Sequence, residues 1–166
     1  MRAVILVAAA GCHYSEPMVG DDAVHPDAHI DAKPSCGSTY TIVGQTARYR
    51  FTASNADYAG AAADCASDGG HLVKIDDVVE DAFIDTAFVA AAIPPGSFVW
   101  IGLSDPTMTD HYVWSDGTSL GAYNGFPMGH IPMDMDGTHN CVDKKGDGVW
   151  AIYFCSTMEK GLCECN

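Results

Sequence analysis

Basic residues are scarce. The 166-residue chain carries 8 Lys and Arg against 22 Asp and Glu, a formal charge of −14. A surface so short of cations cannot neutralise phosphates, which excludes nucleic acid and anionic lipid as electrostatic partners. Charge of either sign is sparse, at 18% against about a quarter in an average domain. Apolar residues reach 48%, enough to build a packed core, so wholesale disorder is excluded as well. There is no internal repeat. The apolar run at 3–10 is eight residues long, far short of the roughly twenty needed to span a bilayer. Catalytic motifs are missing too: no His-Glu-x-x-His and no glycine-rich phosphate cradle. Gly117-Thr118-Ser119-Leu120-Gly121 matches Gly-x-Ser-x-Gly, but that pattern marks a nucleophile only at a strand-to-helix elbow in an α/β sheet. Here a turn precedes it and an aperiodic stretch follows, so it reads as turn composition. His71 and His111 read as structural or exposed. The expectation is a chain that is not an enzyme and has no cofactor.

Cysteine, by contrast, is plentiful. Seven in 166 residues is the usage of an exported protein rather than of a reducing cytosol. Six can pair and one is left over. The N-terminus offers a use for it: Arg2, then the apolar run 3–10, then Gly11-Cys12. One positive charge before a short apolar run ending in small residues reads as an export signal over 1–11. Ala9-Ala10-Gly11-Cys12 resembles a bacterial lipobox, which implies lipidation of Cys12 and anchoring in a bacterial cell envelope. An ordinary secretory signal, with the protein secreted, is the other reading. Between Cys12 and Cys36, three prolines and five acids oppose a single Lys33. Such a segment buries too little to offset its chain entropy, so 12–35 is expected to be an acidic, disordered tether. His25 and His29 have helical spacing for a metal, but Pro26 between them breaks that helix.

The folded domain is then 36–166, with 17 acids against 6 bases once Arg2, Lys33 and the five tether acids are set aside, a net −11. A weakly alternating stretch at 39–51, turned near Gly44, reads as strand. Asn55-Ala56-Asp57 supplies a cap for an alanine-rich helix over 58–67, stopped by Gly69-Gly70. A short strand at 72–75 precedes a second helix, from Asp76-Asp77 to about Ala92, with Val79, Phe83, Ala87 and Ala90 recurring on one face. Pro94-Pro95-Gly96 closes it. Strands follow at 98–103 and 112–114, then an aperiodic stretch over 119–140, then two last strands around 141–142 and 149–154. Helices first and strands afterwards imply an α+β domain with one long loop. An aperiodic loop of that length is uncommon and usually functional.

Several of these residues fall in one recognisable order. Tyr58, Ala61 and Cys65 lie on the first helix. Gly69-Gly70-His71-Leu72-Val73, Trp100-Ile101-Gly102-Leu103 and Trp114-x-Asp116-Gly117 follow, then Cys141, Trp150, Cys155 and Cys163. In this order and spacing the chain resembles a C-type lectin-like domain over essentially all of 36–166. The resemblance implies two helices on small antiparallel sheets with a long loop region, and Trp100, Ile101 and Leu103 filling the space beneath that loop. Spacing alone leaves fifteen pairings of six cysteines open. The resemblance implies Cys65–Cys163 and Cys141–Cys155, and, because family members bring their termini together, Cys36–Cys165.

Many lectins of this family hold sugar through Ca²⁺, which needs six to eight hard oxygen ligands. Counted back from Cys141, the family's oxygen-bearing triplet falls on Ile131-Pro132-Met133, and its Asn-Asp pair falls on Ala151-Ile152. None of those side chains bears an oxygen, so the usual sugar site is expected to be absent. A looser cation site on Asp134 and Asp136, joined by Asn140 or Asp143, is the alternative to a solvated acidic loop; zinc held by His130 and His139 with those aspartates is the alternative to histidines that are simply exposed. Read as a calcium helix-loop-helix, Asp134-Met135-Asp136-Gly137 puts Lys145 where a bidentate Glu belongs. The apolar Phe126, Met128, Ile131, Met133 and Met135 either fold onto the core or form an adaptable contact surface. Tyr123 and Asn124 are placed to stack on and hydrogen-bond a ligand. The functional expectation is a surface-anchored module that binds a protein or other macromolecule through Tyr123, Asn124, Phe126, His130 and Asn140 of the 119–140 loop. The alternative is a glycan-binding lectin, with or without Ca²⁺.

Overall fold

A computed structural model of the chain describes residues 36–107, 110–133 and 138–166. The expected signal over 1–11, Cys12 and the tether over 12–35 lie outside the described residues, as do Asp134 and Asp136. The described residues form eight strands and two α-helices. β1 (Ile42–Val43) and β2 (Arg48–Phe51) precede α1 (Tyr58–Ser67), and β3 (His71–Leu72) precedes α2 (Val78–Ala90). Then come β4 (Phe98–Ser104), β5 (Val113–Trp114), β6 (Cys141–Lys145), β7 (Trp150–Tyr153) and β8 (Lys160–Cys165).

Local chemistry sets the helix bounds. The Asp57 carboxylate accepts from Gly60 N at 2.7 Å and starts α1. Asp77 accepts from Val79 N and Glu80 N and starts α2. Each satisfies amides that have no partner in a first turn. Gly69, at φ 86°, turns the chain out of α1. α2 ends at Ala90, and Ala92 at φ 53° leads into the two prolines. Its inward face differs from the expected one. Asp81, Ile84, Ala87 and Phe88 are buried, while Val79 and Ala90 face out. The helix is apolar nearly all round towards its end, so its period does not identify the face.

The strands run in the order β1-β2-β8-β4-β6-β7, with β3 added on β8 and β5 on β4. All pairings are antiparallel except β4 with β8, where Val99 and Trp100 lie beside Lys160 and Gly161 in parallel. The sheets are therefore mixed rather than purely antiparallel, and the parallel seam joins the two halves. Where β4 crosses β3, close approach requires glycine: a Cβ on Gly102 would stand 2.6 Å from Leu72 O.

Strand alternation gives the sheet two faces, each with its own core. Val99, Ile101 and Leu103 of β4 join Trp114, Trp150, Ile84 and Phe88 on the α2 side. Trp100 points the other way, to Tyr40, Ala61, Leu72 and the cystines on the α1 side, with its indole N–H donating to Ala56 O at 3.2 Å. Trp100 thus does not sit under the long loop with its neighbours, because residues one apart on a strand cannot share a face. The bridges are Cys36–Cys165, Cys65–Cys163 and Cys141–Cys155, the three pairings that the resemblance implied.

Candidate functional site

The 119–140 loop leaves β5 through a bridge of Ser119 to Val113 and a bond from Leu120 N to Tyr112 O at 3.0 Å. Ser119 therefore lies in a bridge just past the turn that ends β5, with no α-helix following it among the described residues, and the Gly-x-Ser-x-Gly stretch builds no nucleophile elbow. The turn itself is held by Asp116. Hydrogen bonds from the Thr118 hydroxyl and amide, with Lys74 beside it, pull that carboxyl down to about 2.

The inner half of the loop is fixed from below. Trp150 N donates to Gly125 O at 3.1 Å, and a Cβ on Gly125 would overlap the Trp150 indole. Phe126 is 3% exposed and packs edge-on against Tyr112 and Trp150, with ring centroids 6.0 and 5.8 Å apart. The Tyr123 hydroxyl donates to Asp81 Oδ2 at 2.6 Å, and burial with that carboxylate drives its pKa well up. Asp81 Oδ1 accepts from the Trp150 indole N–H at 3.3 Å and pairs with Lys144 Nζ at 2.8 Å, which also meets Asp85 at 2.7 Å. Lys144 is 0% exposed. One buried ion cluster therefore ties α2, β6, β7 and the loop together. Tyr123 and Phe126, expected as ligand contacts, are spent on the domain's own packing.

The outer half is different. A 3₁₀ turn over Pro127–Gly129 holds Met128 at φ 55°. Met128 is 91% exposed, Met133 73% and Ile131 41%. His130 is exposed at the end of this turn. Asn124 is half-buried and its amide donates to Gly129 O at 3.3 Å, bracing the turn. The positions counted for an oxygen-bearing triplet thus present Ile131 and Met133 to solvent.

Asn140 and His139 close the loop. Asn140 O accepts from Asp105 N at 2.7 Å. Asp105 is buried, and its carboxylate accepts from Thr107 N, the Thr107 hydroxyl and Asp110 N. With Tyr58 and the Cys141–Cys155 bridge, Asp105 and Asn140 border a shallow cleft of 400 Å³. His139 lies 3.9 Å from the Phe154 ring. Asp143 is fully buried within reach of the Glu159 charge; that removes it from the cation set expected with Asp134 and Asp136. Among the described residues no three His, Cys, Asp or Glu side chains converge on a point.

A family model described as the lectin C-type domain matches residues 54–165. The chain belongs to the C-type lectin domain family. This is a binding fold rather than a catalytic one. Bovine C-type lectin domain family 7 member A is 29% identical over 123 residues, 74% of this chain and 48% of that protein, so the chain spans about half its length. Among solved structures, the cow carbohydrate-recognition domain of CD23, determined in the presence of an oligosaccharide, is 26% identical. Its TM-score is 0.65, over 79% of this chain and 95% of that one. A calcium-independent type II antifreeze protein is 25% identical with a TM-score of 0.61, over 78% of this chain and 93% of that one. The named relatives with a printed source are animal proteins. Attachment to a bacterial envelope rests on the Cys12 motif alone.

Sequence reasoning missed Asp81, Asp85 and Lys144. They lie about sixty positions apart on two elements, and nothing local in the sequence pairs them.

Proposed function

We propose that this C-type lectin domain binds a protein or other macromolecular ligand through the outer half of its 119–140 loop, without calcium. The reading extends to an exported protein in which 12–35 spaces the domain from a lipid on Cys12. One observation carries the binding proposal: Met128, Ile131 and Met133 stand out to solvent where sugar recognition through Ca²⁺ needs oxygens. Flexible methionines beside a rigid inner half suit an irregular protein surface. Similarity to a protein described as calcium-independent supports the same reading.

The test is cross-linking and capture of surface proteins by the domain. Binding should persist in EDTA and fall at least tenfold in Met128→Ser/Met133→Ser, with folding unchanged. A second reading, glycan binding with Ca²⁺ held by Asp134 and Asp136, draws support from similarity to a carbohydrate-recognition domain. Calcium titration calorimetry separates the two. Heat that vanishes in Asp134→Ala/Asp136→Ala favours the lectin and counts against the first reading.

A further inference from the structure

Asp143 stands in mid-β6, opposite Trp100 of β4 and Ala151 of β7. It is 0% exposed, and neither carboxylate oxygen has a hydrogen-bonding partner among the described residues. Glu159, in the segment between Cys155 and β8, bridges Ala56, whose carbonyl accepts from the indole of the same Trp100; its charge reaches Asp143, and its Oε2 is buried and without a partner among the described residues. A buried carboxylate without a counter-charge is costly, and a second one whose charge reaches it adds to the cost, so such groups hold protons instead.

The surrounding charges do not relieve it. Lys144 is the next residue on β6, points to the opposite face and is paired with Asp81 and Asp85. Lys145 pairs with Asp147. Lys160, beside Glu159, spends its ammonium on Thr52 O and Ala53 O at 2.9 and 2.8 Å. From α1, Asp57 caps its own helix, and Tyr58 packs edge-on against Trp100. Among the described residues, the group that favours the Asp143 charge is its own backbone amide.

Glu159 also lies at a structural joint. Its amide donates to Ala56 O at 2.9 Å and its carbonyl accepts from Ala56 N at 2.7 Å, while Tyr58 N donates to Cys155 O. These bonds fasten the 155–159 segment to the entrance of α1. It borders a cavity of 270 Å³ that Glu159, Asn55, Phe98 and Lys160 line.

We propose that Asp143 and Glu159 form a proton-operated latch, which holds the 155–159 segment against the sheet while protonated and loosens it when both ionise. Burial, with the Glu159 charge acting on it, pushes Asp143 up to about 8, and burial pushes Glu159 up to about 7. The folded state therefore keeps protons that the unfolded chain releases near 4 and 4.5. The stabilisation is complete below those values. It declines as pH rises and is gone above the folded values, at about tenfold in the folding constant per pH unit for each proton retained. The latch is closed in mild acid and open in mild alkali.

Hydrogen exchange across pH 5–8 tests this in the whole chain. The Ala56 and Glu159 amides should open more often as pH rises, gaining at least tenfold beyond the ordinary base-catalysed increase. Asp143→Asn/Glu159→Gln should remove that excess. Glu164→Gln is the control: Glu164 is also buried and raised, but it is bonded to Lys74 N elsewhere in the domain, and the excess should survive its substitution. Should the double variant fail to fold, carbon-13 titration of the native carboxyls decides. Midpoints for Asp143 and Glu159 between about 6 and 8 support the latch; midpoints near 4, or exchange that follows base catalysis alone, overturn it.

Discussion

A single buried carboxylate organises the loop. Asp81 answers the Lys144 ammonium, the Tyr123 hydroxyl and the Trp150 indole together. Removing one partner of a buried ion pair costs about 3–5 kcal/mol, whereas exchanging the charged groups for apolar ones of similar volume is often neutral. Asp81→Ala should therefore destabilise the domain by about 3 kcal/mol, the low end because Asp85 remains. The combination Lys144→Met/Asp81→Leu should recover much of that loss, and urea unfolding measures both. Gly125→Ala offers a second test. Its methyl enters the Trp150 ring, so a loss of about 1–3 kcal/mol is expected from overpacking, with the near-ultraviolet circular dichroism of tryptophan changed. Neither dependence was legible in the sequence. An acid on a helix reads as surface, and a glycine in a loop reads as a turn.

The elements themselves were largely legible. Alanine content, an Asp cap and a glycine stop mark α1 fully, because each acts within a few residues. The inward face of α2 was not, since Val78-Val79 and the apolar run after Thr86 blur its period. Packing into the shared core selects Ile84 and Phe88, the latter edge-on against Phe51. The 119–140 loop was visible as a stretch without period, but its division into a fastened half and an open half depends on Trp150, which arrives later in the chain. The cystines differ in what they hold. Cys36–Cys165 closes a separation of 129 residues and Cys141–Cys155 one of 14. With Cys65–Cys163 closed, the ring that Cys36–Cys165 adds runs only through 36–65 and 163–165; in the chain-entropy account a loop of about 15 residues yields about 3 kcal/mol and one of about 30 close to 4. Replacing Cys36 and Cys165 by Ser should therefore lower the unfolding midpoint more than replacing Cys141 and Cys155. Guanidinium titration of the two double variants checks the order.

At the scale of the whole molecule, two sets of acids set the pH response in opposite senses. Asp68, held low by Arg50, and Asp116 contribute stability that is present above their ordinary value of 3.8. It is lost as pH falls below that, for Asp116 down to about 2. Asp143 and Glu159 act above that value and in the reverse direction. Thermal unfolding followed by circular dichroism should therefore give a midpoint that peaks at about pH 4–5 and declines on both sides. A peak at neutral pH would contradict the assignment of the raised pair. Fold and family were legible because tryptophans, glycines and cysteines mark fixed places along the whole chain. The acid pair was not, because burial comes from strands distant in sequence.

The Cys36–Cys165 bridge, whose Cα atoms lie 5.6 Å apart, also has a mechanical consequence. A load applied across these two residues passes through the sulfur–sulfur bond and never reaches the strands. Pulled at those positions in an optical trap, the oxidised domain should yield no extension. After reduction of that bond the load runs through β1, β2 and α1 to the Cys65–Cys163 bridge, which still shields the residues between those two cysteines.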